Sequence, residues 1–510
     1  MKAVGIDLGT TFSALAVLND YGNPEIVPNR EGERITPSVV LFDADNQVTV
    51  GAIAKNTAVS DPENVVEFIK RQMGNPDFVF SHSGKEFRPE DISAMIIKKL
   101  KADAETLLGA ELPSAVITVP AYFDDARRQA TMNAGRIAGF NVLGIVNEPT
   151  AAALAYGMSN PDVRQRILVY DLGGGTFDVT LMEVAGGKVR VLATDGDHQL
   201  GGKDFDDKII MYCNDEFKRE HGIDLLDDLE ALQDLRQRAE SAKKTLSSRD
   251  SAKITISAQG ARLTVEIARK QFEEMTADLL VRSEMLLDAV MGAAKLAWAD
   301  VDQVLLVGGM TRMPAVMEMI RRVTGKEPTL SVNPDEAIAL GAAIYAGIIL
   351  AGRGDPEVVL SEAGRRLRDT VIEDVTSHSY GVLLVDSKTG SDINEIMIAK
   401  NSPIPASRTA TYYVHEDGQS CVELVVLQGE DRNPANCNEI GRVVLPLGGS
   451  KPRNYPIDVT YEYDSNMIMH ATIKDPQTNV QKSLQITQQG RLSNAEVEEK
   501  RETMQEVEVV

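Results

Sequence analysis

Two short segments of the chain carry the same order of chemically useful residues. Asp7-Leu8-Gly9-Thr10-Thr11 and Asp171-Leu172-Gly173-Gly174-Gly175-Thr176 lie 164 positions apart. Each ends an apolar run with a carboxylate, continues with residues that lack bulky side chains, and closes with a hydroxyl. Such loops suit a polyphosphate, because glycines let backbone N–H groups approach the anion while threonine hydroxyls donate to its oxygens. Asp7 and Asp171 suit a hydrated Mg²⁺, which keeps most of its waters and takes few protein ligands. One Gly-rich turn is commonplace and usually structural. Two with the same order imply an internal duplication whose halves clamp one ligand from opposite sides. Neither is a Walker A loop or a G-x-G-x-x-G fingerprint, which disfavours P-loop and Rossmann folds.

A third Gly-rich turn, Gly308-Gly309-Met310-Thr311-Arg312-Met313-Pro314, follows an apolar run and precedes a helical pattern. Glu240, Lys243, Lys244 and Ser247 share one helix face by their i, i+3, i+4, i+7 spacing. Taken alone, that face reads as a solvated, salt-bridged surface. The alternative is a polar wall offering donors and acceptors to a ribose. Arg312 has the same two readings, a surface ion-pair partner or a guanidinium stacked on an adenine.

The elements that must position these groups alternate through the first 368 residues. Short apolar runs at 116–119, 167–170 and 304–307 have the character of buried strands, and helical patterns cover 125–138 and 230–246. That alternation predicts an α/β architecture. From about Ser379 the pattern changes: 422–424, 457–463 and 468–473 alternate apolar and polar residues, with a turn at 464–466, which predicts an all-β sandwich. A charged stretch, 365–374, reads as an exposed linker, and Ser493-Asn494-Ala495-Glu496 opens an acidic C-terminal helix. The 510 residues hold 53 Lys+Arg against 76 Asp+Glu, a net charge of −23, which argues against nucleic-acid or anionic-membrane partners. Cys213, Cys421 and Cys437 are too few and scattered for a metal or disulfide framework. No window approaches 18 uninterrupted apolar residues, and Asp7 interrupts any signal-peptide core. The expectation is a cytoplasmic, multi-domain protein.

Further segments carry a resemblance. Residues 4–11, Val119-Pro120-Ala121-Tyr122-Phe123, Asn147-Glu148-Pro149-Thr150 with Ala151 to Ala153, 171–178, 308–314 and Asn333-Pro334-Asp335-Glu336-Ala337 resemble, in order, signatures of the 70-kDa heat-shock chaperone family. Ile398 to Asn401 and Leu427 to Glu430 extend the likeness into the β-rich part. The resemblance implies an actin-like (duplicated ribonuclease-H-like) ATPase domain over 1–368, an interdomain linker over 369–378, and a β-sandwich peptide-binding domain over 379–490. A short acidic helix or tail, 491–510, completes a lidless member of the family. It implies catalytic roles for Lys70, Glu148, Asp171, Thr176 and Asp178. Nucleotide would be held by Asp7, Gly9, Thr10, Thr11, Phe12, Gly173, Gly174, Gly175, Gly201, Gly202, Glu240, Lys243, Lys244, Ser247, Gly308, Gly309, Met310, Arg312 and Asp335. Asp7 and Asp171 would hold Mg²⁺ mostly through water, with K⁺ as a further ion. Val382, Leu384, Val385, Tyr412, His415, Val422, Leu424 and Ile468 would line the peptide site. The implied activity is ATP hydrolysis driving the binding of extended, unfolded polypeptide, with a J-domain co-chaperone and a nucleotide exchange factor as partners.

Some residues depart from the family pattern. Lys203 follows Gly202 where an acidic residue is usual, Met310 replaces a hydroxyl residue, and Gly144 stands where a basic residue often receives the J-domain. Val385 and His415 replace a Met and an Ala. Glu373 interrupts the linker's apolar run, so its burial is expected to cost desolvation and weaken interdomain coupling. The tail after Leu492 is expected to lie along the sandwich and fray at its end, leaving peptide to exchange fast in both nucleotide states. Two other readings compete: a regulatory relative acting as exchange factor or scaffold, and a small-molecule kinase of the same fold, which would have no use for the sandwich.

Overall fold

The computed structural model describes residues 3–43, 47–159, 164–329, 333–355, 367–464, 468–485 and 492–510. The expected turn residues Ser465 and Asn466, the linker start at Arg365, and the 490/491 boundary fall outside them. Two sheets dominate the first part of the chain. One runs in the order Asn141–Asn147, Ser114–Val119, Ala3–Asp7, Phe12–Leu18, Pro24–Val27; the other in the order Gln303–Val307, Gln165–Leu172, Phe177–Ala185, Lys188–Asp197, Val371–Glu373. Ala3–Asp7 pairs parallel with Ser114–Val119 and antiparallel with Phe12–Leu18. Gln165–Leu172 has the same surroundings, parallel to Gln303–Val307 and antiparallel to Phe177–Ala185. The two Asp–Gly–Thr segments therefore leave equivalent ends of equivalent strands.

These strands are continuous apolar runs because both faces are covered. Ile167, Leu168, Val169 and Tyr170 are all fully buried, as expected of sheets flanked by helices. The helical patterns become Asp125–Ile137, whose N-cap Asp124 accepts from the Arg127 N–H at 2.9 Å, and Leu229–Leu246, capped by Asp228. The C-terminal part is two four-stranded sheets around one core: Asp392–Ile398, Tyr380–Val385, Gln419–Gln428, Asn438–Lys451 against Ala406–Tyr413, Pro456–Tyr463, Met469–Lys474, Gln481–Gln485. In Pro456–Tyr463, Ile457, Val459, Tyr461 and Tyr463 point inward and alternate with more exposed residues.

This sheet pair sits against the N-terminal part through polar contacts. The Tyr380 and Tyr463 hydroxyls reach the buried Asp125 carboxylate at 3.2 and 3.3 Å. Ser377 donates to the Ala121 carbonyl at 2.5 Å, Lys400 pairs with Asp195 at 2.6 Å, and Asn147 donates to Asp374 at 2.9 Å.

Two expectations are corrected here. Val371–Glu373 adds a parallel strand beside Lys188–Asp197, and Glu373 sits opposite Arg190. Its carboxylate lies 2.5 Å from the Lys188 ammonium and 3.5 Å from Arg190, with its side chain 39% exposed. Glu373 is thus compensated and wet, and carries no uncompensated desolvation cost. The tail does not lie on the sheet pair either. The Asn494–Glu506 helix, opened by the Ser493/Glu496 capping box, packs on the N-terminal part, with Val497 and Met504 buried in its core. Beyond the helix the chain does not fray: Glu508–Val509 pairs in parallel with Gln47 and Val48. The short alternation Val507-Glu508-Val509 seats two valines on the same apolar cluster, and that burial fixes a segment whose helix propensity is poor.

Candidate nucleotide site

A cavity of about 430 Å³ opens between the two large sheets, and both Asp–Gly–Thr loops reach it. Of the expected nucleotide residues, Asp7, Gly9, Thr10, Thr11, Phe12, Gly173, Gly174 and Gly202 line it, as do Glu240, Lys243, Lys244, Ser247, Gly308, Gly309, Met310, Arg312 and Asp335. Lys70, Glu148, Asp171 and Thr176 line its floor, while Gly175, Gly201 and Asp178 stand behind the lining. The two loops interlock: a Cβ on Gly174 would lie 2.3 Å from the Thr11 hydroxyl, and one on Gly175 would lie 2.5 Å from that of Thr10. Only glycine fits there. Gly201 and Gly202 act on the second loop: the Gly202 and Lys203 N–H groups donate to the Gly173 and Gly174 carbonyls, each at 2.9 Å.

The floor is a buried charge cluster. Lys70 sits on the short turn Ile69–Gln72, set by the left-handed Phe68 (φ 57°). Its ammonium lies 2.5 Å from Glu148 Oε1, and both side chains are nearly inaccessible. Glu148 opens the Glu148–Ser159 helix, where the dipole favours a carboxylate. Thr118 Oγ1 donates to Asp7 Oδ1 at 3.0 Å, and the Tyr122 N–H to Asp178 Oδ1 at 3.0 Å. Burial first, and then repulsion from Glu148, pushes Asp7 and Asp178 each up to about 7. The same causes hold Asp171 well above the usual carboxylate range. Burial alone would lower Lys70, but Glu148 and Asp7 outweigh it and hold its ammonium charged. Four acidic groups thus face one lysine, and Asp171 Oδ2 is buried without a hydrogen-bond partner. An arrangement this short of positive charge suits a bound cation. Among the described residues no three metal-binding side chains converge on one point.

The side wall answers the two open readings. Glu240 is paired with Lys55 at 2.5 Å and Lys244 at 2.7 Å, and these cations overcome its burial to hold it down at about 2. Lys243 bonds Asp206 at 2.7 Å and the Gly202 carbonyl at 2.9 Å, and Ser247 donates to the Lys243 carbonyl at 3.3 Å. Arg312 pairs with Asp335 at 2.7 Å across the rim. The face is salt-bridged, and it is also a cavity wall. Lys203 is held 2.5 Å from Asp207.

Sequence reasoning missed several groups. Lys55, on a helix of six residues, has no motif around it. Asp206 contributes a second buried, unpartnered oxygen in the wall. Arg71, the neighbour of Lys70, donates to the Gly175 carbonyl at 2.7 Å and pairs with Asp204 at 2.5 Å, pinning the second loop.

The expected peptide residues divide by burial. Val382 and Leu424 are 3% and 1% exposed and belong to the core of the sheet pair rather than to its surface. Leu384, Tyr412, Val422 and Ile468 are half-buried, and Val385 and His415 are exposed. Tyr380–Val385 and Gln419–Gln428 pair only from Tyr380↔Gln428 to Val382↔Val426. Beyond that point each is paired only on its far side, with Asp392–Ile398 and Asn438–Lys451, so the facing edges of 383–385 and 419–425 diverge.

A family model for "Hsp70 protein" matches residues 3–81 and 75–509. The chain is also similar to "Chaperone protein DnaK" of Thermotoga neapolitana, Thermotoga petrophila and Thermotoga maritima. Each is 44% identical over 509 residues, covering 97% of this chain and 82% of the relative. With the interlocked Gly loops, the buried Lys70–Glu148 pair and the polar wall all in place, these matches identify the chain as a member of the Hsp70 chaperone family.

Proposed function

We propose that this protein is an ATP-driven chaperone in which nucleotide held between the two large sheets controls the grip of the C-terminal sheet pair on extended polypeptide. The matching strand orders and directions support an actin-like, duplicated ribonuclease-H-like ATPase domain over 1–368. The linker then covers 369–378, the peptide-binding sandwich 379–490, and the tail 491–510. The observation that carries the ATPase reading is the charge imbalance on the cavity floor, where the buried carboxylates outnumber the single Lys70.

In this reading Asp7 and Asp171 hold Mg²⁺ through its waters, and the ion when bound neutralises charge on the phosphates. Thr10, Thr11, Gly173, Gly174 and Gly175 present donors to the phosphate oxygens, with Gly201 and Gly202 backing the second loop. Lys70 stands against the transferring phosphoryl, while Glu148, Thr176 and Asp178 orient the attacking water and the Asp178 carboxylate accepts its proton. Phosphoryl transfer needs positioning and charge neutralisation more than covalent chemistry. Glu240, Lys243, Lys244, Ser247, Gly309, Met310, Arg312 and Asp335 take the adenosine. K⁺ is a further ion for the acidic floor.

The diverging edges of 383–385 and 419–425 support peptide binding by strand addition, with Leu384, Val385, Tyr412, His415, Val422 and Ile468 beside the groove and Val382 and Leu424 beneath it. Unfolded polypeptide, a J-domain co-chaperone and an exchange factor are the partners, in the cytoplasm. The scaffold reading loses its main support now that Glu373 is an ion-paired docking residue. The test is single-turnover ATP hydrolysis with and without an extended apolar peptide. Mg²⁺-dependent turnover accelerated by peptide is expected; turnover that ignores peptide would return the chain to the regulatory reading.

A further inference from the structure

The Glu508–Val509 strand completes a sheet in the order Glu508–Val509, Gln47–Val50, Val40–Phe42, Val65–Val66. Two backbone hydrogen bonds extend the pairing, Val50 N–H to Val510 O and Val510 N–H to Val48 O, both 2.9 Å. The same tail segment is tied to the Pro89–Leu108 helix. Lys98 Nζ donates to the Met504 and Val507 carbonyls at 2.6 and 2.7 Å, and Lys500 pairs with Asp91 at 2.6 Å.

That small sheet carries one wall of the nucleotide cavity. Gln47–Val50 runs through Gly51 into the Ala52–Thr57 helix, which bears Lys55. Val65–Val66 runs through Glu67 and Phe68 into the turn that bears Lys70. Opposite stands the Leu229–Leu246 helix, and three contacts bridge the opening: Lys55 to Glu240 at 2.5 Å, Gln237 to the Lys55 carbonyl at 2.5 Å, and Gln233 to Glu67 at 2.7 Å. Breaking those contacts would let the walls separate and widen the way out from the cavity floor. Any element that anchors the near wall raises the barrier to that motion.

We propose that residues 507–510 are a positioning strand for the nucleotide cleft. By tying the Gln47–Val50 edge to the Pro89–Leu108 helix, they hold the wall carrying Lys55 and Lys70 closed and so set the rate at which nucleotide leaves. The proposal rests on the cavity being a nucleotide site, and adds a regulatory role for the tail toward that site.

The experiment uses the full chain and a fluorescent ADP analogue, displaced by excess unlabelled ADP. Val510→Pro removes the donor to Val48, and Val509→Asp places a carboxylate against the apolar cluster; Gln505→Ala, on the exposed face of the helix, is the control. Amide hydrogen exchange over residues 47–50 is measured on the same proteins. Val510→Pro and Val509→Asp should each lose protection there and release the analogue at least about fivefold faster, with the control unchanged. Lost protection with unchanged release would overturn the coupling while leaving the nucleotide site intact. Unchanged protection in Val510→Pro would overturn the strand itself. Failure of the parent to hold the analogue would overturn the site, and the coupling with it, whatever the protection of residues 47–50.

Discussion

Replacing Lys70 with Ala separates binding from chemistry. The ammonium lies 2.5 Å from Glu148 in a setting where the two side chains are 5% and 6% exposed. Asp7, Asp171 and Asp178 already sit above the ordinary carboxylate range. Removing one partner of a buried pair costs about 3–5 kcal/mol when the other stays charged. Here the floor can discharge by taking up a proton, so the loss of folding stability should be largest at pH 8 and smaller at pH 6. The effect on catalysis is distinct. A preorganised group facing charge that develops in the transition state is worth about 10²–10³ in rate, or ~3–4 kcal/mol. In the proposed reading the two Gly loops and the polar side wall hold nucleotide as well, so binding should survive. Fluorescent-nucleotide titration and single-turnover hydrolysis on the same sample give both numbers. Lys70→Ala is expected to bind ATP within about tenfold of the parent, since most contacts remain, and to hydrolyse it about 10²–10³ times more slowly. Hydrolysis within a few-fold of the parent would refute the placement of Lys70 on the transferring phosphoryl.

Asp7 and Asp178, near 7 in the fold against 3.8 unfolded, contribute stability that is present below about pH 4 and lost as pH rises through 7. Urea midpoints of the nucleotide-free protein should therefore fall from pH 6 to pH 8, and Mg·ATP should flatten that slope; a flat nucleotide-free profile would count against the buried cluster. Glu373→Leu should alter linker docking by less than ~1 kcal/mol, as a half-exposed pair is worth little, whereas Glu373→Lys opposes Lys188 and Arg190 and should open the docked form, read as a change in interdomain energy transfer. Tyr463→Phe removes the Tyr463 hydroxyl from Asp125 and should weaken docking of the sheet pair by about 1 kcal/mol, with the same readout; no change would mean that this hydroxyl contributes nothing to docking. Asp171→Asn should weaken Mg²⁺ dependence most at high pH, where the carboxylate is ionised, measured as the Mg²⁺ concentration giving half-maximal turnover.

What could be read from the chain divides along physical lines. The strands at 116–119, 167–170 and 304–307 and the helices near 125–138 and 230–246 were legible because burial on both faces leaves uninterrupted apolar runs, and helix faces leave a 3.6-residue period. The repeated Asp–Gly–Thr order identified the loops, since local backbone freedom is written locally. Pairing across long separations is not. Nothing around Lys55 indicates that it meets Glu240, and nothing around Asp125 indicates that two tyrosines from the last third of the chain converge on it. Glu373 was misjudged for the same reason: the cost of burying a charge depends on partners at positions 188 and 190 that periodicity does not reveal. The tail was misjudged because low helix propensity predicts fraying only for a segment with no surface to receive it.

The contacts between the sheet pair and the N-terminal part bear on the proposed control of the sheet pair by nucleotide. Hydroxyls on a carboxylate, an ammonium on Asp195 and backbone carbonyls taken by Ser377 and His378 make up much of this contact. Each is worth little net, because water replaces it on separation. A mainly apolar contact of similar extent would be far more costly to open, at about 25 cal/mol per Å² exposed. If nucleotide is to open this contact, polar contacts of this kind bring the cost nearer to the few kcal/mol that a ligand with different affinities for two forms can supply. Its position matters as much as its polarity. Ser377 and His378 grip the carbonyls of Ala121 and Tyr122, and the Tyr122 N–H donates to Asp178 behind the cavity floor. One peptide unit separates the docking contact from Asp178, to which the proposed reading gives the attacking water, so in that reading releasing the sheet pair would loosen the segment that holds Asp178 in place.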